Sequence, residues 1–154
     1  MRKLVTIAGL VASIVLVAVL VSSASQKRVT SPVTVRVIER ATTDVVIDTG
    51  KKGDTTGDLL TWHNKIFDAA NKQQVGRDQG DCVRINPVEG SWECRWITWV
   101  PGGAITVEGP LYDSKDNTIA ITGGKGLFKN ARGTMSIKAR KGGSEYAFIF
   151  KVIP

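Results

Sequence analysis

The chain has 154 residues, of which 42% are hydrophobic and 16 are glycine, and it carries a formal charge of +7. That length fits one domain with a single core. Without Arg2 and Lys3, 19 basic residues face 14 acidic ones, a net +5 spread along the chain with no dense Lys/Arg block. No nucleic-acid-binding motif or basic stripe is visible, so the charge reads as a basic surface with, at most, a loose affinity for anionic cell-wall polymers.

Met1-Arg2-Lys3 is a basic start, and residues 4–21 are apolar except for Thr6 and Ser13. Ser22 and Ala24 then stand in the small-x-small relation that a signal peptidase reads. Residues 1–25 are therefore expected to form a signal helix. An uncleaved anchor is the alternative, because the apolar run is long enough to span a bilayer. Either way the domain lies outside the cytoplasm, secreted or held at the outer face of the membrane, and the N-terminal segment is its one membrane contact.

Residues 26–32 form a short polar lead, and the folded domain is expected over residues 33–154. Val33, Val35 and Val37 alternate with Thr34 and Arg36, the period of a strand with one apolar face. Val45-Val46-Ile47 reads as a short strand and residues 50–57 as a loop. Residues 59–70 are drawn as a strand on the alternation of Leu60, Trp62, Asn64 and Ile66, since no cap marks a helix start. Further strands are expected over residues 75–85, 92–100, 104–109, 119–122, 134–139 and 145–153, with turns at 86–90, 101–103, 112–117, 123–126 and 141–143. Trp92, Cys94 and Trp96 share one face, with Trp99 on the other, and Tyr146, Phe148, Phe150 and Val152 share a face of the last strand. About eight strands at hairpin spacing suit an up-and-down barrel or a sandwich.

Cys82 and Cys94 bracket the turn at 86–90, so on neighbouring antiparallel strands they face each other closely enough for a disulfide, as an exported protein favours. A free thiol in a pocket is the competing reading. His63, the single histidine, cannot build a metal site alone and reads as a polar strand residue. Asp44, Asp48, Asp54, Asp58, Asp78 and Asp81 read as solvated acids, mostly in loops, with no spacing that selects a catalytic pair. The glycines at 123, 124 and 126 lack the spacer, Lys-Ser/Thr end and helix of a phosphate-binding loop. Trp62, Trp92, Trp96, Phe148 and Phe150 either line a cavity or fill a solid core.

One ordered set of motifs is more specific. Gly57-Asp58-Leu59-Leu60, Asn64-Lys65, Gly76, Gly80-Asp81-Cys82-Val83, Ile105 to Pro110, Ile121 to Gly126, Phe128 and Ala131-Arg132-Gly133 together resemble the allene oxide cyclase and dirigent superfamily over residues 33–153. The resemblance implies an all-β, eight-stranded antiparallel up-and-down barrel with an apolar cavity, often assembled as a homotrimer, that binds a small hydrophobic molecule without a cofactor. Members cyclise an unsaturated epoxide, steer the coupling of phenolic radicals or act on quinone methides, so an enzyme of this type would be a cyclase or isomerase.

The polar groups of those reactions transfer poorly. Where plant cyclases carry an acid and an asparagine on the first strand, this chain has Arg36 and Ile38, and Val45 stands near their proline. Leu111, followed by Tyr112, takes the place of their tyrosine, and Cys82 matches their cavity cysteine. Arg132 matches the arginine of the dirigent Ala-Arg-Gly motif, but Leu127 replaces the nearby aspartate. The expectations are thus a cavity lined by Trp62, Cys82, Trp96, Leu111 and Phe148, with Arg132 and Tyr112 as the polar candidates and no evident acid or base for proton transfer. A non-catalytic lipophile carrier or surface scaffold is the alternative.

Overall fold

The computed structural model describes residues 28–153. The expected signal helix over residues 1–25 lies outside the described residues. Nine strands follow in order: β1 Val33–Arg40, β2 Val45–Ile47, β3 Leu59–Asp68, β4 Gln74–Asn86, β5 Ser91–Val100, β6 Gly103–Tyr112, β7 Asn117–Gly126, β8 Arg132–Arg140 and β9 Glu145–Ile153. Each pairs antiparallel with its neighbours, and β1 returns to pair with both β9 and β3. Eight strands therefore close into a barrel without a free edge, and β2 adds a short strip against β3. The all-β barrel expected from the hairpin spacing and the motif order is the fold observed.

Closure depends on β3 sharing one edge between two partners. Residues Lys65 to Asp68 pair with β1 and Leu59 to Thr61 pair with β2, while the chain leaves β1 at residues 41–44. The Asn64 side chain bridges that gap. Its Oδ1 accepts hydrogen bonds from the Thr42 and Thr43 backbone N–H groups at 2.9 and 3.0 Å and from Thr43 Oγ1 at 3.0 Å. Asn64 is 1% exposed, so these bonds replace water that the amide cannot reach.

The interior is packed solid at one end. Ile66, Ile105, Ile121, Met135, Phe150 and Val152 are buried there, and Val29 of the lead ties down over it, its N–H donating to Leu127 O at 2.7 Å. Trp92, Cys94 and Trp96 face inward from β5. Trp99 faces out, with the Arg77 guanidinium 4.2 Å above its ring.

Two turn positions differ from the sequence expectation. β3 ends at Asp68, two residues early, and β7 runs through the expected glycine turn to Gly126. The chain reverses only after it, where Phe128 and Ala131 N–H groups donate to Lys125 and Phe128 carbonyls. Gly124 is needed for close approach rather than turning: a Cβ there would sit 2.4 Å from Phe128 O and 2.6 Å from Ala104 O.

Cys82 and Cys94 are register partners on β4 and β5, with Cα atoms 4.0 Å apart, and they form a disulfide. The bridge, not the free thiol, is present. It closes a short hairpin loop, which chain entropy values at about 2–3 kcal/mol. The double variant Cys82→Ala/Cys94→Ala is expected to lose that much unfolding free energy in chemical denaturation, and dithiothreitol should bring the wild type to the same level. A wild type indifferent to reductant would contradict the stabilising role.

Candidate functional site

The packed end leaves the other end hollow. A cavity of about 500 Å³ opens where β1, β6 and β8 finish and β3, β5, β7 and β9 begin. Strand alternation aims its lining inward: Leu60 and Trp62 from β3, Cys82 from β4, Trp92, Cys94 and Trp96 from β5, Leu111 from β6. Ile137 of β8 and Tyr146 and Phe148 of β9 complete the wall.

Aromatic contacts shape this wall. The Trp62 and Trp96 rings meet edge to face at 5.7 Å, and Trp96 lies 6.1 Å from Phe148. Gly80 makes the first pair possible, since it sits in register between Trp62 on β3 and Trp96 on β5. A Cβ on Gly80 would fall 2.2 Å from Trp96 Cβ and 2.9 Å from Trp62 Cζ2. The indoles therefore lie over a strand that has no side chain at that position.

The cavity also contains what the sequence left out, a pair of buried carboxyls. Val33, Val35 and Val37 set the inward face of β1, and Glu39 is the next residue on that face. Glu39 is 5% exposed and lines the cavity, and its Oε1 accepts a hydrogen bond from Asn64 Nδ2 at 2.9 Å. The same amide donates to Asp44 Oδ1 at 2.6 Å, and Asp44 also lines the cavity, from the exposed β1–β2 connection. Asp78 on β4 pairs in register with Asn64 and with Thr98 of β5 and is wholly buried. Neither Asp78 oxygen makes a well-formed hydrogen bond, and the hydroxyl of its register partner Thr98 and the Trp62 and Trp96 indole N–H groups are also unpartnered.

Burial is the main reason that both carboxyls hold protons well above the usual carboxylate range. The Glu39 carboxyl is pushed well up, with the nearby Asp78 charge adding to burial and the Asn64 amide opposing it. Asp78 rises to about 7, although Glu39, the Trp62 indole and the Asn64 backbone are near enough to favour its anion. Two close acids of this kind share protons and titrate as a unit. Tyr146, register partner of Glu39 on β9, is also raised, by burial first and then by Asp44 and Glu39.

These acids correct two expectations. The cavity does contain acids, Glu39 and Asp44, and Asp78 is a buried strand residue. Asp58 is buried as well; its carboxylate accepts the Thr49 and Thr55 backbone N–H groups, which hold it below the usual range and order the 48–58 loop. Of the residues singled out from sequence, Trp62, Cys82, Trp96, Leu111 and Phe148 all line the cavity. Tyr112 does too, at the rim, with Lys115 Nζ 3.7 Å from its ring centre. Arg132 does not: it lies exposed at the start of β8, the other end of the barrel, and donates to the Thr122 and Ala131 carbonyls. Leu127 is likewise remote from the cavity, in the turn after β7. His63 is exposed on the outer face of β3.

The rim is braced by charge. Arg84 is buried, bonds Asp54 at 2.8 Å and Asp113 at 2.7 Å, and stacks 4.0 Å over Trp92, whose indole N–H donates to Asp113. Lys141 at the mouth bonds the buried Glu145 at 2.7 Å.

A closed antiparallel barrel with one hollow, aromatic-walled end defines a small-molecule-sized container. The sequence profile described as allene oxide cyclase matches residues 19–142, and the chain belongs to that family. Solved structures share the fold. A pyocyanin demethylase superposes with a TM-score of 0.70 at 23% identity, covering 79% of this chain and 100% of that one. The pterocarpan synthase dirigent protein PsPTS1 gives 0.62 at 14% identity over 79% and 92%. The Diels Alderase AbmU from Streptomyces koyangensis gives 0.62 at 14% over 81% and 70%.

The raised carboxyls set a pH signature. The folded chain keeps protons that the unfolded chain releases near pH 4, so stability is expected to fall as pH rises from about 4 through 7. Asp78→Asn should flatten that slope and raise the melting temperature at pH 8 relative to wild type. An unchanged slope in calorimetry would show that Asp78 ionises normally.

Proposed function

We propose that this barrel binds a small, largely apolar molecule in its open end and promotes its cyclisation, isomerisation or stereoselective coupling. The observation that carries the reading is the Glu39 carboxyl, buried, proton-holding and lining the same cavity as Trp62, Trp96 and Phe148. The similar folds named as a demethylase, a pterocarpan synthase dirigent protein and a Diels Alderase all belong to small-molecule chemistry, which supports placing the chemistry in the cavity.

The residues divide the work by their chemistry. The aromatic wall and Leu111 hold a flexible molecule in a reactive shape, an effect of orientation that needs few polar groups. Glu39 is the group placed to give a proton to the bound molecule or take one from it. Asp78, on β4 across β3 from Glu39, is the positioning partner whose charge adds to burial in keeping Glu39 protonated. The Tyr146 phenol stays protonated at neutral pH and supplies a further donor at the wall. Tyr112 and Lys115 frame the entrance. The signal segment and the disulfide fit a protein that works outside the cytoplasm, and the family resemblance supports a homotrimer.

The test is a native mass spectrometry screen for bound small molecules, followed by turnover assays on any ligand found. Glu39→Gln keeps an acceptor for Asn64 and should bind within a few-fold of wild type while losing about a hundredfold or more in turnover. Binding without turnover in the wild type would make the barrel a carrier. Wild-type turnover by Glu39→Gln would remove Glu39 from the chemistry.

A further inference from the structure

The packed end of the barrel, opposite the cavity, has a surface of its own. It is built by the lead, the β5–β6 and β7–β8 turns and the adjoining ends of β1 and β9. Backbone pairing joins these pieces. Val29 N–H donates to Leu127 O and Leu127 N–H to Gly102 O, while Ile153 pairs in register with Arg132 and Val152 with Val33. The β3–β4 turn stands apart from this end, its Asn71 bonding Arg40 and Glu145. Residues 28–33, 100–104, 124–133 and 150–153 contain five bases, Arg28, Lys125, Lys129, Arg132 and Lys151, and no acid. All five are exposed, and among the described residues none is in a salt bridge. A carboxyl terminus at Pro154 would cancel one of these charges. The connections at the mouth have the opposite balance: residues 41–44, 48–58, 87–90, 113–116 and 141–144 carry seven acids and four bases.

Two further observations point to one partner. Val33, Leu127 and Ile153 stand 38%, 38% and 49% exposed among these bases. The chain also enters the barrel here. Arg28 is the first described residue, and only the six residues 22–27 separate it from the apolar run at 4–21, a link of about 20 Å at full extension. We propose that the packed end is a docking face for an anionic lipid bilayer, with its bases at the headgroups and the aliphatic side chains among them. Each basic side chain brought to such a surface raises affinity about fivefold, and exposed aliphatic side chains gain by leaving water. A soluble polyanion would reward the bases alone.

Charge also sets the orientation. An anionic surface attracts the packed end and repels the acid-rich mouth, so the cavity opens away from the membrane and fills from the aqueous side. A barrel that took its molecule straight from lipid would present the mouth instead. The fate of the N-terminal segment does not reverse this polarity. An apolar run kept in the bilayer holds this same end at the surface, whereas a cut after Ala24 leaves a free amino group beside Lys27 and Arg28. None of the five bases or three aliphatic residues lines the cavity, so the face and the cavity are tested apart.

The test takes the protein as the cell delivers it, with the N-terminal segment kept or removed. It is mixed with nanodiscs of phosphatidylcholine, alone or with about a third phosphatidylglycerol, each carrying a trace of headgroup-diazirine lipid. Cross-linked sites are read by peptide mass spectrometry. With phosphatidylglycerol, adducts on peptides holding residues 101–102, 125–132 and 151–153 should exceed those on residues 87–90 and 113–116 by at least about fivefold, and high salt should abolish the excess. Lys125→Glu/Lys129→Glu/Lys151→Glu alters only exposed, unbridged side chains, so it should keep the wild-type melting temperature and lose the excess. Leu127→Gln/Ile153→Gln should reduce it several-fold. Loss on charge reversal with no effect of the Leu127→Gln/Ile153→Gln pair assigns the face to a soluble polyanion and overturns the bilayer seat. Adducts spread evenly over both ends, indifferent to phosphatidylglycerol or gathered at the mouth overturn it as well.

Discussion

The Asn64 side-chain amide holds this molecule together at the point where a barrel is hardest to close. Strand β1 ends before it has covered the edge of β3, and β2 resumes the pairing only after four residues. One buried amide spans the interval. Its oxygen takes two backbone N–H groups and a hydroxyl from the departing chain, and its two N–H bonds point at Glu39 and Asp44. The interaction that seals the sheet is thus the one that arranges the acids. Losing it would leave the buried Glu39 carboxyl without its donor, at a cost of about 1–3 kcal/mol.

The hollow end follows from how bulk is distributed along the barrel. Toward the ends where β1 and β8 begin, Ile66, Met135, Phe150 and Val152 fill the interior. Toward the mouth, Gly80 and Gly109 remove side chains opposite Trp62, Trp96 and Cys94, and the indoles lean over the gap instead of meeting across the axis. Eight strands are just wide enough for either result, so a few glycines decide between a filled core and a container. The disulfide and the Arg84 cluster then brace the open rim, where fewer apolar contacts are available.

The all-β strand order was legible because period-two alternation survives in nearly every strand and the Cys82–Cys94 spacing matches a hairpin register, while a barrel rather than a sandwich was implied only by the family resemblance of the ordered motifs. The cavity wall was legible in Trp62, Cys82, Trp96, Leu111 and Phe148. The acids were not. Glu39 continues the inward face of Val33, Val35 and Val37, and following that alternation two residues further would have found it. A charged residue at the end of an apolar run ordinarily marks the surface, and that habit hid it. Asp78 was harder still, because Gly76 and Gly80 on either side leave no apolar pattern to show which way it points. The glycines at 123, 124 and 126 misled in the opposite sense. They read as a turn, but β7 runs straight through them, and Gly124 is there because Phe128 and Ala104 carbonyls pass too close for a Cβ.

By itself the sequence determined the strand periodicity, the hairpin order, the placement of Cys82 and Cys94 that favours a disulfide, and the family, because each depends on residues near one another along the chain or on motifs in a set order. Only the tertiary structure decided that the barrel is hollow at one end, that Arg132 stands at the opposite end from the cavity, and that Glu39, Asn64 and Asp78 meet on three neighbouring strands. Burial and mutual proximity raise the affinity of those carboxyls for protons, and neither is a property of any local stretch of chain.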